Sequence, residues 1–550
     1  MAQETAAANT STMTGDAKDL ETHCSCLTYG QTNCFNTIVT DYVEASPGLQ
    51  AFYEHPVNLE GVASAIHSRE QFLTDRATLV RVLEEQYTQV VADPKVAANI
   101  RALLLPNTFT VVTAHQPNIF TGYLYFIYKV LHAIKLAAHF NSIFPDKQFV
   151  PLYYMGSEDA DLDELGKVFL SGDKLVWETN QTGAVGRMAT KGLEKLIHRI
   201  EGELSVQPFG KELVTLLKES YLESPDIQTA TFKLLHKLFA RFGLVVLIAD
   251  HPALKAQMKQ VFREDLFNHT PSNVVAGTID KLAAGYKVQA NPREINLFYL
   301  EDNIRNRIEK TETGFVVVDT PIRFSEEEMI NELEQHPERF SPNVILRGLF
   351  QETILPNIAF VGGGGELAYW LELKDLFLHY GVPYPLQVLR NSFLVVEQKW
   401  VEKITKLGFD LKDFFRNEQS LLDEMVKRDS AAQVHLTNEI RDTRAFYDHL
   451  RKVAGTIDAT LNAHVGAMES KMVKQLEGLE KKLLRAEKRK FTDQSRQILT
   501  IRQALFPNGN LQERVENFMP YYAKYGNAFI DAVYQHSFSL EQEFQVMVIG

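Results

Sequence analysis

The chain predicts an α/β fold built on a parallel sheet, followed by an α-helical coiled coil. Three observations carry that expectation. Thr108–Met155 reads as strand, loop, helix and strand, one βαβ unit with a right-handed crossover. Asn357–Phe377 (NIAFVGGGGELAYWLELKDLF) reads as a short buried strand, four glycines and an amphipathic helix. From Ile440 onward apolar residues recur at alternating threes and fours: Tyr447, Leu450, Ala454, Ile457, Leu461, Val465, Met468, Met472, Leu476, Leu479 and Leu483.

At 550 residues the chain has room for roughly two to four domain-sized units. A hydrophobic content of 45% supports a sizeable core. Lys+Arg 57 against Asp+Glu 70 gives −13, which argues against nucleic acid or a membrane surface as partner. The three cysteines all lie within Cys24–Cys34. Their C-x-C spacing is not a usual zinc pair, so unpaired thiols in a reducing cytoplasm are expected, with no metal centre. No signal peptide and no run of about 18 uncharged apolar residues is seen.

In chain order, residues 1–25 are expected to be a disordered tail, small and polar at first. Residues 26–395 form the core, with insertions at about 170–330. Asn36 to Ala98 is mostly helical. Thr108–Thr113 (TFTVVT) is a β-branched strand. The loop AHQPNIFTG follows, then a helix over Tyr123–Phe140 with Leu124, Ile127, Tyr128, Leu131 and Ile134 on one face. Phe149–Met155 and Leu244–Ala249 are further buried strands. Lys310–Gly314 is a hairpin turn, and Ser325 with Glu328 caps a short helix. Gly381–Val396 holds the last strand and carries Arg390. Residues 396–506 form the coiled coil, most economically an antiparallel hairpin, and 507–550 return to the core.

Four stretches carry candidate chemistry. Gly362–Gly365 leave backbone N–H groups bare at a helix N-terminus, an anion site or simply a tight turn. Glu158, Asp159, Asp161, Asp163 and Glu164 follow a central strand, where a parallel sheet has its ligand crevice. They suit an amine or magnesium, or else the acidic first turn of a helix. Arg347 and Gln351 share a helix face, and the guanidinium offers a fork for carboxylate or phosphate. Asn508, Gly509 and Arg514 form a second candidate ligand loop, or a helix-hairpin terminator with a docking arginine.

TAHQPNIFTG with its helix, VPLYYMGSEDADLDEL, SPNVILRGLFQETILPNIAFVGGGGELAYWLELK and LFPNGNLQERVENF together resemble the BshC family, the cysteine-adding enzymes of bacillithiol synthesis. The resemblance runs from about Leu27 to the C-terminus. Two departures stand out. Ala114-His115-Gln116 replaces the family's usual Gly-Gln-Gln, and Gly364 replaces a proline.

The resemblance implies a Rossmann-like core and a coiled coil that forms a homodimer. The implied reaction joins the cysteine carboxyl to the amine of glucosaminyl malate. ATP is expected to activate the carboxyl, with Mg2+ as an accompanying ion. His115 and Gln116 would donate to the leaving phosphate, and Thr121 and Gly122 would offer helix N-terminal amides. Glu158 or Asp159 would hold an amine or a metal. Gly363, Gly364, Gly365, Glu366 and Tyr369 would bind the second substrate, with Arg347 or Arg390 on a malate carboxylate. Asn508, Gly509 and Arg514 would meet the nucleotide. Two other readings stay open: a non-catalytic nucleotide-binding dimeric scaffold, and a ligase or nucleotidyltransferase acting on another amino sugar.

Overall fold

A computed structural model describes residues 20–430 and 435–550. The chain divides into two compact units, one reaching Val395 and including Gln512–Gly550, the other Val396–Leu511. The helical unit thus runs to Leu511 rather than ending at 506.

The first unit is organised around five parallel strands: β1 (Thr108–His115), β2 (Gln148–Met155), β3 (Val245–Ile248), β4 (Asn357–Gly362) and β5 (Leu386–Leu389). They are near-continuous apolar or β-branched runs, buried almost throughout, because helices cover both faces of the sheet. Their spatial order is β5-β4-β1-β2-β3, all pairs parallel. The crossover from β1 to β2 is α1 (Tyr125–Ile143), a helix buried over most of its length. The strand order reverses between β1 and β4, which opens a crevice beyond their carboxyl ends.

Two insertions build outward. Between β2 and β3 the chain is mostly helical. Between β3 and β4 it adds a five-stranded antiparallel sheet from Leu297–Glu301, Ile304–Thr311, Gly314–Val317, Arg323–Phe324 and Phe340–Pro342. Its hairpin turns at Gly314, whose φ of 137° and whose approach to the Phe324 carbonyl exclude a side chain. Ser325 and Glu328 make the expected capping box. α2 (Val344–Ile354) leads into β4, and α3 (Gly364–Leu371) leaves it.

The expectation of a tail over residues 1–25 is corrected where the structure describes it; residues 1–19 lie outside the described residues. Thr22–Leu27 is a strand, paired antiparallel with Phe544–Ile549. Its partner comes from the far end of the chain, so nothing local to residues 22–27 signals it.

In the helical unit, α4 (Thr437–Ile457) and α5 (Leu461–Lys488) form an antiparallel pair, with Arg451 bonded to Glu469 and His435 to Glu480. What reads as one seam is therefore two helices. Asp458 accepts from the Thr460 backbone and hydroxyl and stops the first. Ile457 and Leu461 sit four apart across that turn, so the spacing alone does not betray the break.

Candidate active site

A cavity of about 360 Å³ opens at the carboxyl edge of the parallel sheet. The end of β1, the loop after β2, the turn from β4 into α3 and the residue after β5 deliver His115, Gly156–Asp159, Gly363–Glu366 and Arg390 to it. The inserted sheet adds Arg305 and α2 adds Arg347.

The glycine turn is one wall. Gly363 is the N-cap of α3, and its N–H donates to Glu366 Oε2 at 2.8 Å. Beneath it the buried Lys129 of α1 bonds both Glu366 and the Ala114 carbonyl. Burial pushes the Lys129 ammonium down to about 8, against the pull of Glu366. Burial pushes the Glu366 carboxyl up, but the Lys129 charge and hydrogen bond outweigh it and hold the group below its ordinary value. Glu366 is thus tied to the scaffold on one oxygen.

His115 Nδ1 lies 3.1 Å from the Gln116 carbonyl and must carry the proton there; Nε2 then accepts from the Tyr125 hydroxyl at 3.1 Å. Burial pushes the imidazole down to about 4, with Lys129 adding to the effect. The ring is neutral near pH 7 and neither nitrogen is left to donate to a phosphate. The donor role expected of His115 is corrected accordingly: it orients Tyr125, which lines the cavity. Gln116 reaches the neighbouring loop instead, its amide donating to Asp159 Oδ2 at 3.1 Å.

Thr121 and Gly122 do not offer free amides. Their N–H groups donate to the Asn118 and Ile119 carbonyls inside a tight turn, and α1 begins only at Tyr125. Neither residue lines the cavity.

Arg347 faces the cavity with neutral partners, the Tyr369 hydroxyl at 2.7 Å and the Gln351 amide oxygen at 3.2 Å. Gln351 is itself buried and away from the cavity; its NH2 donates to Glu352, so its oxygen must face Arg347. Arg390 differs. Its fork holds Glu513 at 2.7 and 3.1 Å in a buried ion pair, so the clamp role expected of it is already filled by the chain. Arg514 lines the cavity, whereas Asn508 and Gly509 belong to the helical unit and do not.

Glu158 pairs with the fully buried Lys255 at 2.9 Å, and Lys255 also meets Asp250, which Arg187 grips with two bonds. Asp161 caps the short helix Leu162–Leu165, and Asp163 and Glu164 form its first turn. Among the described residues no group of three or more His, Cys, Asp or Glu side chains stands ready as a metal cage. Cys24, Cys26 and Cys34 form no disulfide with one another, and burial pushes the Cys24 thiol up to about 12. No helix among the described residues is long and apolar enough to cross a membrane.

Several site residues escaped the sequence. Lys129 left one trace, a lysine on the largely apolar first half of its helix. Lys255, Arg305 and Glu513 left none, because Glu158, Ser341 and Arg390, which they respectively meet, lie far along the chain.

Comparison with known proteins follows the same division of the chain. Residues 22–391 match the family model for the bacillithiol biosynthesis BshC N-terminal Rossmann-like domain, and residues 393–549 match that for the BshC C-terminal coiled-coil domain. Relatives named "Putative cysteine ligase BshC" include one from Flavobacterium johnsoniae, 37% identical, covering 95% of this chain and 99% of its own. Others are from Christiangramia forsetii (36%, 96% and 99%) and Cytophaga hutchinsonii (38%, 88% and 91%). Among solved structures, a Campylobacter jejuni chain titled as an arginyl-tRNA synthetase overlaps at 9% identity, 77% of this chain and 98% of that one, with a TM-score of 0.21, too low to carry an argument. With both family models matched in order and together spanning residues 22–549, the chain belongs to the BshC family of bacillithiol biosynthesis.

Proposed function

We propose that this chain is a cysteine ligase that joins the cysteine carboxyl to the amine of glucosaminyl malate. One observation carries the reading: a cavity at the strand-order reversal in which guanidinium groups without carboxylate partners face an acidic loop. Arg347 and Arg514 have no ion pair among the described residues. Such a site suits substrates that carry both amines and several anionic groups.

Forming an amide from a free carboxylate in water needs activation, and ATP is the proposed activating substrate. The α3 N-terminus at Gly364 and Gly365, with Arg347 or Arg514, offers N–H groups and charge for its phosphates or for the malate carboxylates. Mg2+ is commonly held by one or two carboxylates together with phosphate oxygens. Asp159, hydrogen-bonded but without an ion pair among the described residues, suits that role. Glu158 suits the amine of a substrate. The amine of glucosaminyl malate, once deprotonated, attacks the activated carbonyl, and the activating group leaves.

Homodimerisation is proposed through the helical hairpin. Phe446, Val453, Ile457, Leu461, Met468 and Leu479 leave apolar surface exposed along it, Ile457 at 79%. Cysteines that form no disulfide suit a reducing cytoplasm.

The test is direct. Incubation with cysteine, glucosaminyl malate and ATP-Mg2+ should give the thiol product by mass together with ADP or AMP. No product from a well-folded dimer across a panel of amino sugars would leave a binding or scaffold role. Product from a different amino sugar alone would move the substrate assignment.

A further inference from the structure

Two buried polar atoms on the loop after β2 have no partner inside the protein. Ser157 is 1% exposed, and its Oγ makes no hydrogen bond. Glu158 Oε2, on the next residue, is likewise buried and unpartnered, while Oε1 is held by Lys255. Both residues line the cavity. A buried carboxylate oxygen and a buried hydroxyl without partners cost stability unless something binds them, which marks the place of a ligand group.

The same wall carries Arg305 from the inserted sheet. Its guanidinium donates to the Ser341 hydroxyl at 3.0 Å and the Pro342 carbonyl at 3.4 Å, and it meets no carboxylate in an ion pair among the described residues. Burial pushes it below its ordinary value, and the charges of Asp159 and Glu158 pull it back up, so these groups lie within electrostatic reach of one another. Lys255 is shared between Glu158 and Asp250, and Arg187 completes that cluster with no surplus charge.

Charge decides what fits. A lone cation beside Glu158 would meet Arg305 and Arg347 across the cavity, and a lone anion beside Arg305 would meet Glu158. A zwitterion satisfies both. We propose that Ser157, Glu158 and Arg305 form the subsite for a free α-amino acid, its ammonium donating to Glu158 Oε2 and Ser157 Oγ and its carboxylate accepting from Arg305. Lys255 is a positioning residue that holds Glu158 Oε1 and leaves Oε2 to the ligand. This rests on the ligase reading, for which the amino acid is cysteine, and assigns the amine recognised by the acidic loop to cysteine rather than to the amino sugar.

The experiment is a cycle of ligand and protein changes on the full-length chain, read by calorimetric binding. The ligands are L-cysteine, 3-mercaptopropionate (no amine) and cysteamine (no carboxylate). The proteins are wild type, Ser157→Ala, Glu158→Gln and Arg305→Gln, each checked for its fold by circular dichroism. L-Cysteine should bind wild type at least tenfold more tightly than either truncated ligand, because each loses a charge-assisted bond. In Glu158→Gln the advantage of L-cysteine over 3-mercaptopropionate should vanish, and in Arg305→Gln its advantage over cysteamine should vanish. Ser157→Ala, which removes only a hydroxyl, should weaken L-cysteine by about tenfold. Affinity for glucosaminyl malate should stay within about twofold in Ser157→Ala and Glu158→Gln. Unchanged discrimination in correctly folded variants overturns the subsite, even where the ligase reaction itself proceeds. If the ligase reaction fails but another free amino acid binds with this same dependence, the subsite stands and the substrate assignment falls. Binding of no free amino acid overturns the subsite.

Discussion

The two walls of the cavity treat buried charge in opposite ways. On the glycine wall Glu366 is locked by Lys129 and Gly363, and nearby Arg390 is locked by Glu513. On the acidic wall Glu158 keeps a buried oxygen with no partner, the Ser157 hydroxyl is likewise buried and unpartnered, and Arg305 meets no carboxylate in an ion pair among the described residues. The first arrangement fixes the turn and the end of β5. The second leaves donors and acceptors facing the cavity. Proximity to a cavity therefore does not make a charged residue a ligand group; what counts is whether its bonding capacity is already filled from behind.

The largest effect should come from breaking the locked side. Glu513→Ala removes the partner of a guanidinium that is only 3% exposed. An uncompensated buried charge costs about 3–5 kcal/mol, read as a lowered denaturation midpoint of the first unit. A variant as stable as wild type would mean that Arg390 is free to swing into the cavity, and would restore it as a substrate clamp.

Asp265 shows a third way to bury a carboxylate, with no cation at all. It accepts from the Asn296 backbone N–H at 2.6 Å and side chain at 2.9 Å, and burial pushes its carboxyl from an ordinary 3.8 to about 7. The folded form holds a proton that the unfolded form releases between those values. This contribution to stability is therefore full below pH 4, falls as pH rises towards 7, and is flat above. The decline should be on the order of a few kcal/mol, and Asp265→Asn should remove it. Urea midpoints measured from pH 4.5 to 8 for both proteins check this; parallel curves would refute it.

Arg347 tests the open side at lower structural cost. Its partners, Tyr369 and Gln351, are neutral, so Arg347→Met leaves no orphaned charge. Stability should fall by only about 1–2 kcal/mol for the lost hydrogen bonds, while KM for the anionic acceptor rises about 10–100-fold. Loss of kcat with KM unchanged would instead place Arg347 on the activated group.

These contrasts also explain how much the sequence disclosed. The strands of the parallel sheet, the glycine turn and the hairpin at Gly314 are written in local pattern, and local pattern placed them. The loops that carry Glu158, Gly363 and Arg347 follow from strand ends, so the cavity's location was legible too. What was not legible is which groups are occupied. Glu513 is 123 positions from Arg390, and Lys255 lies on a different strand–helix unit from Glu158. Strand Thr22–Leu27 waits for a partner at the other end of the chain. Local sequence shows that a residue is charged, whereas only the fold shows what already neutralises it. His115 illustrates the cost: the added imidazole suggested a phosphate donor, yet Gln116 and Tyr125 take both nitrogens.

The smallest effect falls on the glycine turn itself, where two neighbouring glycines differ. A Cβ on Gly364 would come to 3.0 Å from Val39 Cγ2, so a side chain there would have to push Val39 back by a few tenths of an ångström. A Cβ on Gly365 meets nothing within 4 Å and projects into open space beside the cavity. Gly365 lies in the first turn of α3 with ordinary helical backbone, so alanine there should stabilise the helix by up to about 0.5–1 kcal/mol. Packing thus gives no reason for glycine at 365. If phosphate or malate lies against the Gly364 and Gly365 N–H groups, Gly365→Ala should raise Tm slightly while weakening the anionic substrate several-fold. If it raises Tm and leaves every KM unchanged, the turn is only a turn, and anion recognition in the cavity rests on the arginines alone.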